Sequence, residues 1–142
     1  MVNRILRLLL KDEETTMKPE LAFLCDYVDF TDRGLFNAYG AGIRILSLRK
    51  LPDTRSITLV ASIEYDPAKD SGSHVIRVRV IDAEGIDVMK GMGIRDNFPS
   101  DPGFYVFNMK LHPTFNRYGA YSVELTVDGI SMASLPLHIV ME

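Results

Sequence analysis

The side chains of this chain that could do covalent or metal chemistry are one cysteine, Cys25, three histidines, His74, His112 and His138, and nineteen carboxylates. A thiol nucleophile needs positive, partly exposed surroundings that lower its pKa. Cys25 lies between Leu24 and Asp26, and strand alternation places it on one face with Leu21, Phe23 and Tyr27. It is therefore expected to be a buried structural residue. The histidines fall on separate segments with no His-x-x-x-His or Cys-x-x-Cys spacing, so no metal site is expected. There is no Gly-x-Ser-x-Gly elbow. Gly40-Ala41-Gly42 and Gly91-Met92-Gly93 lead into no helical pattern and read as bulges or tight turns, not phosphate cradles. Any two of nineteen acids could be nominated as a hydrolytic pair, which singles out none. The sequence points to no catalytic residue and no cofactor.

One constellation remains. If strands 57–65, 74–82, 86–92, 104–111 and 120–128 run alternately up and down, the loops 66–73 and 93–103 and the turn at 128–129 emerge at one end. That end is acidic, with Asp66, Asp70, Asp96, Asp101 and Asp128 only partly offset by Lys69 and Arg95. Together with His74 and Asn97 these aspartates form the expected binding surface. Its ligand would be a basic patch on a partner or a hard cation such as Ca²⁺, which takes several carboxylate and carbonyl oxygens. The competing reading is that Asp, Asn, Gly and Pro gather in loops because they make turns, and that their charges are simply solvated. The opposite end carries Arg49, Lys50, Arg55, His112 and Arg117.

The elements that must position these residues are strands. From Gly119 to Asp128 apolar and polar residues alternate, with Tyr121, Val123, Leu125 and Val127 on one face. Asp128-Gly129 then supplies the positive φ angles of a two-residue type I′ turn. Ile76-Arg77-Val78-Arg79-Val80 alternates in the same way, and Ile57, Leu59, Ala61, Ile63 and Tyr65 share a face. Further strands are expected at 21–28, 43–51, 86–92, 104–111 and 130–140, with a short one at 35–39. Strand 21–28 is apolar on both faces, so one face should be covered by another element, such as the N-terminal segment or a second subunit. No stretch keeps a helical repeat. The expected fold is all-β, an antiparallel β-sandwich of about eight strands. It forms one domain over residues 17–142, preceded by a flexible or short helical extension over 1–16. That extension, in which basic residues and leucines lead into Asp12-Glu13-Glu14, has three readings: a frayed terminus, a docking helix for a partner or symmetry mate, or a lead-in to a natural start at Met17.

Gly119-Ala120-Tyr121-Ser122-Val123 resembles the opening of strand F in the immunoglobulin-like superfamily, with Val123 where the cysteine would stand. With no tryptophan in the chain, the resemblance implies the sandwich architecture and not an antibody or receptor domain. Leu24-Cys25-Asp26-Tyr27, followed by Gly34-x-x-Asn37-x-Tyr39-Gly40, resembles an uncharacterised family of small prokaryotic β-sandwich proteins. That family implies a fold and no activity.

Composition narrows the function classes. The 142 residues are 46% hydrophobic and 25% charged, which suits one globular domain. A net charge of −3 without a basic cluster argues against a nucleic-acid partner. No apolar run approaches the roughly 20 residues of a spanning helix, so no membrane partner is expected. The lone cysteine fits a reducing, cytoplasmic setting. A non-catalytic module that binds a protein partner or itself is the expected function. The alternatives are a small-ligand or carbohydrate-binding module built on Tyr39, Phe98 and Phe104, and an enzyme of unrecognised type.

Overall fold

Alternating strands with one apolar face must bury that face against a second layer. The computed structural model, which describes residues 15–31 and 35–142, shows how they do so. The strands are β1 (Lys18–Cys25), β2 (Tyr27–Phe30), β3 (Phe36–Tyr39), β4 (Ile45–Leu48), β5 (Asp53–Thr54) and β6 (Ile57–Glu64). After one helical turn, α1 (Pro67–Asp70), come β7 (Gly72–Asp82), β8 (Met92–Phe98), β9 (Phe104–Leu111), β10 (Thr114–Phe115), β11 (Gly119–Val127) and β12 (Ile130–Met141). A three-stranded sheet has the order β1-β6-β9, and a five-stranded sheet the order β4-β12-β11-β7-β8. β2-β3 and β5-β10 form two small pairs. The chain is all-β, but the expected count of eight strands and the wholly antiparallel arrangement need correction. Twelve strands form among the described residues, and β4 runs parallel to β12, with Ile45 opposite His138. The expected character of residues 1–14 falls outside the described residues.

The two larger sheets share one core. Ile76, Val78 and Val80 of β7 and Tyr121, Val123, Leu125 and Val127 of β11 join Ile57, Leu59, Ala61 and Ile63 of β6 in a single buried cluster. The Asp128-Gly129 turn forms as read, with φ of 50° and 80° and Val127 opposite Ile130. The Tyr121 hydroxyl donates to the Arg117 carbonyl (2.8 Å) and accepts from the Arg117 N–H (3.2 Å), closing the corner before β11.

β6 is unusual because its second face is buried too, through Thr58, Val60 and Ser62. β1 stops at Asp26, and the chain folds into the β2–β3 hairpin, which lies against this face. Phe23 meets Phe36 at 6.4 Å, and the Thr58 hydroxyl donates to the Asp26 carbonyl (3.4 Å). The cover anticipated for the doubly apolar stretch 21–28 thus comes from the strand's own continuation.

The expected strand at 86–92 is a loop joined to its neighbour by one isolated bridge, and the strand forms at Met92–Phe98, inside the expected loop. The reason is local. The Asp87 carboxylate accepts the N–H groups of Met89 (2.9 Å) and Gly91 (2.6 Å), and Lys90 takes φ 58°, so the chain turns where the pattern suggested extension.

Candidate functional site

The strand ends meet as the up-and-down reading requires, since Gly72 lies opposite Phe98, and Glu64 opposite Phe104. The connections 65–71, 99–103 and 128–129 therefore share one end of the molecule, where part of the expected set converges. His74 is buried; its Nδ1 lies 2.5 Å from Asp128 Oδ2 and its Nε2 lies 2.7 Å from the Asp70 carbonyl. Asp128 Oδ1 accepts the Val75 N–H (2.8 Å). The Asp70 carboxylate accepts the N–H (2.7 Å) and hydroxyl (2.5 Å) of Thr16, whose hydroxyl oxygen accepts the Asp66 N–H (2.8 Å). Asp66 Oδ1 caps α1 at the Ala68 N–H (3.0 Å). Asp96 accepts the Tyr105 hydroxyl and the Asn97 N–H. Asn97 is exposed opposite Ser73, and Asp101 precedes the cis bond to Pro102, outside this network.

Electrostatics at this end favour a charged pair. Burial works against a charged His74, but its hydrogen bonds to Asp128 and the Asp70 carbonyl, with the two carboxylate charges, outweigh it and raise the pKa above 6.5. Burial likewise opposes ionisation of Asp128, yet the Val75 N–H, His74 and Arg95 hold its pKa below 3.8. Burial, then Asp96, push the Tyr105 hydroxyl far up.

A histidine oriented by an aspartate is the base half of a nucleophilic triad. Here the second ring nitrogen is already taken by the Asp70 carbonyl and the ring is buried, so no nitrogen faces a substrate. Both nitrogens meet acceptors, which suits the imidazolium, a donor at each. Among the described residues no group of three or more His, Cys, Asp or Glu side chains is placed to hold a metal ion. Asp66, Asp70, Asp96 and Asp128 spend hydrogen-bonding capacity on the protein's own donors. This end is a clasp that joins α1, β7, the turn after β11 and the residues entering β1.

The other sequence candidates resolve separately. Cys25 is fully buried, and burial followed by the Asp26 charge raises its pKa, as expected of a structural thiol. The row of rings Tyr39, Phe98 and Phe104 does not form, because Phe98 is completely buried against Tyr65 (5.1 Å), His74 (4.4 Å) and Tyr105 (4.5 Å). A surface groove of ≈ 380 Å³ runs past Asp82, Asp87, Lys90 and Arg117. Asp87 there holds its own turn, and Arg117 pairs with Glu84 at 2.6 Å.

The exposed feature that stands apart is the β2–β3 hairpin. Its register sets Tyr27 opposite Tyr39 and Asp29 opposite Asn37 on one face, with Val28, Phe30, Phe36 and Ala38 on the other. The second face lies toward β6. On the first, Tyr27 stacks on Tyr39 with centroids 4.4 Å apart and planes 12° apart, while the residues stay 54% and 43% exposed. Phe30 and Leu35 are exposed beside the tip. The Asp26 N–H donates to the Tyr39 carbonyl (2.8 Å), and the Asp26 carboxylate lies against Gly40, where an added Cβ would sit 2.3 Å from its Oδ2. Gly40, at φ +65°, lets these groups approach. Three of the four large aromatic residues exposed among the described residues lie on this hairpin. Sequence reasoning noticed the flanking motifs and missed the pairing. The available signal was two four-residue runs separated by the five residues Thr31 to Leu35, which hold the turn-forming stretch Thr31-Asp32-Arg33-Gly34.

Fold and surface thus define an all-β protein that displays stacked aromatic rings on a separate hairpin. The chain belongs to the family described as "Family of unknown function (DUF6941)", whose model matches residues 20–140, from within β1 to within β12. No curated protein matches it. Among solved structures it is similar to Pseudomonas fluorescens alkylpurine DNA glycosylase AlkC bound to DNA containing an abasic site analog, at 11% identity and a TM-score of 0.45. The likeness covers 84% of this chain but only 30% of that one. No helix among the described residues is long and apolar enough to cross a membrane.

Proposed function

We propose that this chain is a non-catalytic interaction module that binds a protein partner, a second copy of itself included, through the outward face of the β2–β3 hairpin. The observation that carries this reading is the stacked, half-exposed Tyr27–Tyr39 pair on an element that belongs to neither of the two larger sheets. Tyrosine supplies large contact area at little conformational cost and is enriched among the residues that dominate binding energy. Grouped exposed apolar surface on a soluble protein commonly marks an interaction site. The loop-end aspartates serve as the clasp in this reading, not as the ligand site.

The immunoglobulin-like form of the fold is part of the proposal. It is supported by the Tyr121 corner and by two sheets over one core, an arrangement that hosts many binding proteins. Cytoplasmic residence goes with the single free thiol. A net charge of −3 weighs against a nucleic-acid partner.

The test is affinity capture from source-cell extract with the wild-type chain and with Tyr27→Ser/Tyr39→Ser, after circular dichroism has shown equal melting. Loss of the stoichiometric partner, or of self-capture, from the variant is expected. An unchanged partner set would overturn the assignment to the hairpin.

A further inference from the structure

We propose that the outward hairpin face receives the arginine- and leucine-bearing segment Arg4–Lys11 of a second copy of this chain. This rests on the hairpin being the interaction surface and names its occupant. The face offers aromatic rings beside negative charge: Tyr27 and Tyr39 present π-faces, Asp29 shares their side of the hairpin, and Asp26 lies at Gly40 next to Tyr39. A guanidinium stacks on a tyrosine ring while its N–H donors reach a neighbouring carboxylate, a pairing that a compact ammonium satisfies less well. Leu35, exposed beside the tip, adds apolar surface.

Residues 1–11 read Met-Val-Asn-Arg-Ile-Leu-Arg-Leu-Leu-Leu-Lys, with three cations, no acid and six aliphatic side chains among Val, Ile and Leu. Both its charge and its apolarity complement the hairpin face.

Chain length lets the whole segment lie on the hairpin of a second copy but not on its own. Thr16 is held by Asp70 at the end of β1 remote from the hairpin. From Thr16 to Cys25 the extended chain covers about 30 Å, and Tyr27 lies further on. Leu8 is eight residues before Thr16 and reaches back at most about 28 Å when fully extended. Leu8–Lys11 therefore fall short of their own hairpin and only the residues from Arg7 back come within reach of it, whereas a neighbour's hairpin can take the whole segment Arg4–Lys11. Reciprocal exchange of segments between two chains closes a two-fold dimer.

The test is light scattering and sedimentation on the full chain in three forms: wild type, Arg4→Gln/Arg7→Gln and Tyr27→Ser/Tyr39→Ser. The wild type should form a reversible dimer, and each double variant should weaken it at least about tenfold. An equimolar mixture of the two variants should recover a heterodimer, because one segment and one hairpin remain intact in it. Asp29→Asn, which leaves both rings in place, should weaken the dimer more at low salt than at high salt. A wild type that stays monomeric at every concentration would overturn the inference, as would a dimer indifferent to Arg4→Gln/Arg7→Gln. If only the tyrosine variant loses the dimer, the hairpin is an interface with another occupant, so this inference fails while the hairpin reading stands. If the tyrosine variant also keeps its captured partners, both fail.

Discussion

At the scale of single residues, His74 meets an acceptor at each ring nitrogen, and this gives the fold a pH dependence of definite sign. Its pKa is raised on folding above 6.5, so the stabilisation it brings is complete below that value and is lost as pH rises through the folded pKa. Asp128 is lowered below 3.8, so its contribution is complete above that value and is lost as pH falls through the folded pKa. The clasp is strongest between the two, and thermal melting should decline from pH 6 toward pH 9. His74→Gln should flatten that decline; an unchanged slope in the variant would show that the imidazolium is not responsible. Tyr121 acts in another way. Its hydroxyl spans the N–H and C=O of Arg117, and Tyr121→Phe should cost about 1–2 kcal/mol in urea unfolding with the core unchanged. A loss within error would mean that water replaces both bonds. The tyrosine corner was legible in Gly119-Ala120-Tyr121. The role of His74 was not, because its partners Asp70 and Asp128 are brought together by β7 and β11 pairing, and residue identity alone does not specify that.

Among the elements, strands with strict alternation were the most legible. β6, β7, β9 and β11 form close to where the pattern of Ile57–Tyr65, Ile76–Val80, Phe104–Leu111 and Tyr121–Val127 put them; in β7 and β11 a one-residue slip would turn the apolar set away from the core. The failures occur at two aspartates. Asp87 converts 86–91 into a turn and moves the strand to Met92–Phe98. At Asp26 a continuous apolar run breaks into a strand and a hairpin. Gly40, just after β3, lies against Asp26 at that break. Gly40→Ala meets both the φ of +65° and the Asp26 carboxylate, so it should destabilise the chain by about 1–2 kcal/mol and shift the Tyr27 and Tyr39 ring resonances. Unmoved ring resonances would show that the hairpin does not depend on this approach.

Across the whole molecule, Phe98 ties the end of β8 to Tyr65, to His74 of β7 and to Tyr105 of β9, and so joins the two larger sheets at the clasp end. Phe98→Ala should cost about 3–5 kcal/mol, a large fraction of the roughly 7–20 kcal/mol expected for a domain of this length. A loss below about 1 kcal/mol would mean that the sheets are held elsewhere. On the proposed reading, stability and recognition are separated in space. The acidic end locks the sheets together, and the hairpin covers β6 with one face and offers the other. The most direct measurement of that division is photocrosslinking in the source cell, with a photoreactive phenylalanine analogue placed in turn at Tyr39 and at Asn97, an exposed position of the acidic end. Protein adducts from position 39, to a partner or a second copy, with none from position 97, are the expected result. Adducts from position 97 with none from position 39 would contradict the account and return the binding surface to the acidic loops.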